Sequence, residues 1–298
     1  MEKYKRKFAL QFLWLFLVFA FSFPAFGQDK DQKPVKRNEV VTHKLNSKLM
    51  AREMSYNVIF PFGYENKSEA KTRFPVIFLL HGLMGHFDNW AVKTELALYA
   101  RDYDYIFVMP EGGDGWYTDS ASENNDRYES YIIQELIPEV DKKFRTLADK
   151  KHRAVAGLSM GGYGSIKFGL KHPHLFSLVG SFSGALGVTA FTEKEVQGAF
   201  LQSILNIFGE VGSQTRKEND VFQIVREVQQ ERIKDLPFIY LDCGTEDFLF
   251  QNNTDFAKLL REKKIPHEYR ELPGKHDWNF WGAQVREFLE LSEKYVNN

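Results

Sequence analysis

The sequence is nearly without cysteine: Cys243 is the only one in 298 residues. An intramolecular disulfide is therefore excluded, and so is a metal site built on several thiolates. Cys243 lies in an apolar, strand-like run, where a small buried side chain is expected in place of a reactive thiol. A charge excess is missing too, with 39 Lys+Arg against 40 Asp+Glu and a formal net charge of −1. With no basic cluster in the body of the chain, there is no electrostatic reason to expect a nucleic-acid partner. Internal repeats and low-complexity segments are absent. The apolar fraction of 43% and charged fraction of 27% are those of a soluble globular protein, which excludes disordered and fibrous classes.

Long apolar runs are scarce as well. The one that approaches spanning length, Phe8 to Phe23, stands at the very start. Lys3, Lys5, Arg6 and Lys7 precede it, and Pro24-Ala25-Phe26-Gly27 follows with small residues at Ala25 and Gly27. This is the layout of a secretory signal peptide over residues 1–27, cleaved near Gly27-Gln28; a retained membrane anchor is the alternative, and the small-x-small pair favours cleavage. No cysteine at that junction allows lipid attachment. The expected location is therefore secreted or periplasmic, with no membrane association after cleavage. Removing the segment takes away four of the 39 basic and one of the 40 acidic residues, which leaves a net charge of −4. Residues 28–38 are polar and read as a flexible leader. Nothing resembling a linker divides 39–298, so a single domain is expected there.

What the remainder does contain is a regular alternation. Glu39 to His43 and Met54 to Phe60, with Asn46-Ser47 between them, read as an opening antiparallel pair. Phe74 to Leu80, Tyr105 to Met109, the run to Leu158, Phe176 to Phe182 and Pro237 to Leu241 are continuous apolar stretches, as expected of central strands covered on both faces. Helical patterns separate them. Tyr128, Ile132, Leu136, Val140 and Phe144 recur every four residues, and Pro138 within that series predicts a kink or local break. The fold class that follows is α/β, with a mostly parallel central sheet flanked by helices. The alternation pauses at about 184–235, where Val196, Phe200, Ile204, Leu205 and Phe208 share one helical face and Val221, Ile224, Val225 and Val228 another. Such a helical insertion can cap the active edge of a sheet or simply pack against it.

The stretch with the most chemistry is Gly157-Leu158-Ser159-Met160-Gly161, with an apolar run before it and a helix-compatible segment after. Strand, sharp turn and helix would present Ser159 on a strained elbow, and Gly157 and Gly161 would let strand and helix approach closely. A serine hydroxyl needs a base to take its proton and a third group to orient that base. Asp247 lies in the loop after the strand ending at Leu241, and His276 lies in the loop after the final strand. Parallel strands bring all three loops to one carboxyl edge. Asp242 is within or at the tip of its strand and Glu246 ranks second to Asp247. His172 and His174 flank Pro173 and read as helix-stop residues, and Asp277 reads as the cap of the last helix. Two backbone N–H groups must await the oxyanion: that of Met160, directly after the serine, and that of Leu83 in the turn His81-Gly82-Leu83.

Leu79-Leu80-His81-Gly82-Leu83-Met84-Gly85, Trp116-Tyr117-Thr118-Asp119, Glu135-Leu136-Ile137-Pro138, Gly157 to Gly162 and Cys243-Gly244-Thr245-Glu246-Asp247-Phe248 together resemble the esterase D-like branch of the α/β-hydrolases. That branch holds tributyrin-type esterases, acetylxylan and feruloyl esterases, S-formylglutathione hydrolases and mycolyltransferases. The resemblance spans roughly residues 39 to 292. It implies the α/β-hydrolase fold, Ser159 as nucleophile, Asp247 as acid, His276 as base, Leu83 and Met160 as oxyanion donors, and Trp116 and Tyr117 near the substrate pocket. It also implies a carboxylesterase that needs no cofactor or metal. The substrate would be a short-chain or carbohydrate-linked acetyl or feruloyl ester, because an exported chain fits glutathione thioesters poorly. An acyltransferase using the same triad, a peptidase, and a noncatalytic binding protein of the same fold remain as alternatives.

Overall fold

The computed structural model describes residues 38–65 and 71–296, which fall within one compact unit, Lys36–Asn298. The expected signal peptide over 1–27 lies outside the described residues, as does all of the expected leader except Asn38. Eight strands form one sheet in the order β1-β2-β4-β3-β5-β6-β7-β8. They are β1 (Val40–Ser47), β2 (Arg52–Ile59), β3 (Val76–Leu80), β4 (Ile106–Pro110), β5 (Arg153–Leu158), β6 (Leu178–Phe182), β7 (Phe238–Gly244) and β8 (His267–Leu272). β1 and β2 are antiparallel to each other and β2 is antiparallel to β4. From β4 through β8 every pairing is parallel. The α/β-hydrolase sheet expected from the sequence is the one observed.

The continuous apolar runs have the reason anticipated for them. Along β3, Val76, Phe78 and Leu80 join one core while Ile77 and Leu79 join the other. The first core is covered by the helix Met160–Lys171, whose Ile166 and Phe168 belong to it. Trp281, Val285, Phe288 and Leu289 of the C-terminal helix Trp278–Val296 cover the second. Alternate side chains of a strand leave opposite faces, so a strand with helices on both sides favours apolar residues at nearly every position.

One local expectation needs correcting and another is met in an unexpected form. Asn46 and Ser47 do not turn the chain: they continue β1, paired with Glu53 and Arg52. The turn comes directly after them, where Ala51 takes φ 50° and the Ser47 hydroxyl accepts the N–H of Met50 at 3.0 Å. The local break expected at Pro138 is present as a change of helix type. Tyr128–Ser130 and Ile137–Lys143 are α-helical, and between them Tyr131–Leu136 widens to π-helix. The wider turn just before Pro138 places the residue that cannot donate within the first positions of a new α segment, where its missing N–H goes unused.

The insertion divides in two. Gly198–Phe208 stands over the carboxyl edge of the sheet. Gln214–Glu218 and Val221–Glu227 instead pack sideways: Phe222 meets Phe256 edge-on at 5.0 Å, and the Tyr163 hydroxyl donates to Asn219 O at 2.8 Å.

Candidate active site

Ser159 sits between β5 and the helix Met160–Lys171 with φ 51° and ψ −114°. A β-carbon in that region costs on the order of 1–3 kcal/mol and persists only where the surroundings hold it. They do so here through the backbone: Ser159 N–H donates to Phe182 O at 2.9 Å, and Ser159 O accepts from Tyr163 and Ala185 at 3.0 and 3.1 Å. The two flanking glycines are obligatory. A β-carbon on Gly157 would lie 2.5 Å from the backbone of Gly161, and one on Gly161 would lie 2.5 Å from Leu80 O.

The three groups found in separate loops come together. His276 Nε2 lies 3.0 Å from Ser159 Oγ and His276 Nδ1 lies 2.8 Å from Asp247 Oδ2. An ionised carboxylate only accepts, so Nδ1 carries the proton and Nε2 is left to accept from the serine. Burial would raise the Asp247 carboxyl, but the bonds from His276 and from Leu249 N–H at 2.8 Å outweigh it and hold it below its usual value. The His276 ring is gripped by Phe248 at 4.6 Å and edge-on by Trp281 at 4.9 Å. Asp277 Oδ1 accepts the N–H groups of Asn279 and Phe280 at 3.0 and 3.1 Å, the cap expected of it. Of the rival acids, Glu246 points outward toward Lys275 at 3.7 Å and Asp242 is fully buried in β7.

Met160 is the first residue of its helix, so its N–H has no partner within the helix. The Leu83 N–H is aimed from behind. His81 Nε2 accepts Gly112 N–H at 2.8 Å, which puts the ring proton on Nδ1, from where it reaches Gly82 O at 2.8 Å. Gly85 N–H meets the same oxygen at 3.1 Å. The C=O and N–H of one trans peptide point in opposite directions, so fixing Gly82 O fixes Leu83 N–H. Glu111 braces this turn, accepting Gly113 N–H at 2.7 Å and lying 3.2 Å from His81 Nε2. Asp114 accepts Met84 N–H at 2.7 Å. Glu111 and Asp114 were not singled out in the sequence, where each lies about thirty residues from the turn it holds and no local pattern links the two.

A cavity of about 750 Å³ opens over Ser159. Gly82, Leu83, Ser159 and His276 line it, as do Trp116 and, from the insertion, Phe191, Val196 and Phe200. Tyr117 is not among the lining residues, against expectation. It is fully buried behind Trp116, with its hydroxyl bonded to His81 O at 3.1 Å. Among the described residues no group of three or more His, Cys, Asp or Glu could hold a metal, and no helix is long and apolar enough to cross a membrane.

An acetyl esterase of Caldicellulosiruptor saccharolyticus is 27% identical over 83% of this chain and 96% of its own length. The endo-1,4-beta-xylanase/feruloyl esterase of Xylanibacter ruminicola is 31% identical over 54% of the chain, which spans 24% of that larger protein. Among solved structures, a ferulic acid esterase superposes with a TM-score of 0.76 at 28% identity, covering 87% of this chain and 99% of the other. The family model Esterase matches residues 47–290. The chain therefore belongs to the esterase family, the serine carboxylic ester hydrolases of the α/β-hydrolase fold.

Proposed function

We propose that the protein is an exported serine esterase that hydrolyses short-chain acyl or carbohydrate-linked acetyl and feruloyl esters through Ser159, His276 and Asp247. The observation that carries the reading is the unbroken chain Ser159 Oγ, His276, Asp247 at 3.0 and 2.8 Å, opening into a cavity far larger than an acetyl group. His276 takes the Ser159 proton as Oγ bonds to the ester carbonyl carbon. The N–H groups of Leu83 and Met160 receive the oxyanion. The carbon–oxygen bond to the alcohol breaks, and the alcohol leaves with the proton from His276. Water then attacks the acyl-enzyme, gives its proton to His276, and the acid departs as Ser159 is restored.

The alcohol must leave beside His276, where the rings of Phe248, Trp281 and Trp278 gather. A second aromatic group, Trp116, Phe200 and Phe191, is left for the acyl side. The names of the acetyl and feruloyl esterase relatives support carbohydrate-linked esters as substrates. Export is supported by the basic and apolar residues of 1–27 and the small residues Ala25 and Gly27.

Ser159→Ala is expected to abolish hydrolysis of p-nitrophenyl acetate with the melting temperature retained, and a fluorophosphonate is expected to label Ser159 in the wild type. Full activity in the alanine variant would overturn the mechanism. Acetate or ferulate released from acetylated xylan or methyl ferulate supports the carbohydrate role, and activity confined to simple short esters removes it. For export, amino-terminal sequencing of protein recovered outside the cytoplasm is expected to begin at Gln28.

A further inference from the structure

Lys167 is among the largest fully buried side chains, and it is a cation. It lies two turns along the helix that begins after Ser159 and does not line the cavity. Its ammonium group has three donors and three partners: Tyr117 O at 2.6 Å, Thr118 Oγ1 at 2.7 Å and Glu129 Oε2 at 2.9 Å. Burial lowers it to about 8 even against the attraction of Glu129, so it still holds its proton at neutral pH. Glu129 also meets Lys171 at 3.0 Å and His172 at 2.9 Å.

The segment gripped by this cation is strained. Trp116 and Tyr117 have φ 51° and 49°, two successive bulky residues in the left-handed region, which non-glycine residues enter singly and at a cost. Thr118 Oγ1 relays the hold by donating to Trp116 O at 2.8 Å. From this pair Trp116 presents its ring to Phe200 at 5.8 Å and its Nε1–H to Ser203 Oγ at 2.8 Å, seating the insertion helix over the cavity. Tyr117 meanwhile ties the same segment to the oxyanion turn through His81 O. One ammonium group therefore fixes the backbone from which the acyl-side wall projects.

We propose that Lys167 is a positioning residue for substrate selection, acting through Tyr117 O and Thr118 to hold Trp116 in the acyl-side wall. This rests on the serine-esterase reading above. Without the ammonium group the Trp116-Tyr117 pair relaxes toward ordinary backbone angles, and the wall shifts for acyl groups long enough to touch it. An acetyl group does not reach so far and is affected less.

The test is Lys167→Met combined with Glu129→Gln, so that no buried carboxylate is stranded, with Thr118→Val as a second variant that keeps the ion pair and removes the relay. For both, kcat and KM are measured with p-nitrophenyl acetate and p-nitrophenyl hexanoate, and Ser159 is labelled with a fluorophosphonate. The expected result is a KM for hexanoate raised about tenfold with kcat changed less than about threefold, and acetate parameters changed less than about threefold. Thr118→Val shifts the same ratio in the same direction by a smaller factor. Variants that label normally but keep the wild-type hexanoate-to-acetate ratio, or lose kcat for both esters in parallel, overturn the proposal. Should the double variant fail to fold, the ratio in Thr118→Val decides it. Failure of the wild type to label overturns the esterase reading and this proposal together, whereas normal labelling with an unchanged ratio overturns this proposal alone.

Discussion

On the sheet side of the cavity the reactive groups are fixed by directional bonds and by backbone in contact with backbone. Ser159 is held by three backbone hydrogen bonds, His276 by Asp247 at 2.8 Å, and Gly82 O by His81 at 2.8 Å. On the insertion side Phe191, Val196 and Phe200 present apolar side chains held by packing, with Phe200 5.8 Å from the Trp116 ring and 6.2 Å from that of Phe191. Hydrogen bonds weaken steeply with angle and distance, whereas apolar contact is nearly indifferent to direction. The first side can therefore hold one geometry for one reaction, and the second can change shape while the fold survives. Under the proposed function, chemistry and substrate choice fall to different walls.

The sharpest way to break this division is on the sheet side. Asp247→Asn leaves the fold almost unchanged but offers His276 an amide in place of an acceptor-only carboxylate, which favours the wrong ring tautomer. The expected loss is about 10⁴-fold in kcat for p-nitrophenyl acetate, with a melting temperature close to that of the wild type. A loss below tenfold would mean that the bond at 2.8 Å does not orient the base. A step smaller is Gly161→Ala, whose β-carbon would meet Leu80 O at 2.5 Å and His81 O at 2.6 Å. Backbone atoms cannot yield as a side-chain tip does, so destabilisation of about 1–3 kcal/mol is expected in urea unfolding. An unchanged midpoint would show that the elbow is softer than its contacts indicate.

The insertion side should answer differently. Phe200→Ala removes a ring that is half-buried and lines the cavity. About a tenfold change in the ratio of hexanoate to acetate hydrolysis is expected, with kcat for acetate little affected. Equal loss for both esters would return Phe200 to the catalytic side of the comparison.

The sequence discloses these two sides unequally. Each central strand was legible because burial on both faces leaves an unbroken apolar run; Ser159 and Asp247 were legible because each follows such a run, and His276 because it lies between the last strand and the C-terminal helix. The supports are hidden for the opposite reason. Glu111 reaches His81 and Lys167 reaches Tyr117 across thirty and fifty residues, and neither contact leaves a periodic trace. The left-handed angles of Trp116 and Tyr117 are equally silent, since glycine would announce such a conformation and an aromatic residue does not. Tyr117 was placed near the pocket by the family resemblance, and only the hydroxyl bond to His81 O shows that it turns away.

The smallest predicted effect concerns a place where the sheet side departs from its own rule. Asp242 is a carboxyl group fully buried in β7, directly before the loop that carries Asp247. Burial raises it well above its usual value, against the opposing pull of the Tyr240 hydroxyl and the Arg270 guanidinium, so the native state keeps a proton there. The unfolded chain gives up that proton above about pH 4. Between that point and the raised native value the native state binds more protons than the unfolded one, so stability falls as pH rises. Asn cannot ionise in either state, so Asp242→Asn removes this slope. The stability of the variant relative to the wild type should rise progressively as pH rises above about 4, as measured by urea unfolding at each pH. A gap that does not grow with pH would mean that Asp242 is ionised in the native state, held by Arg270. In that case this strand would join the rest of its wall in being fastened by charge and hydrogen bond.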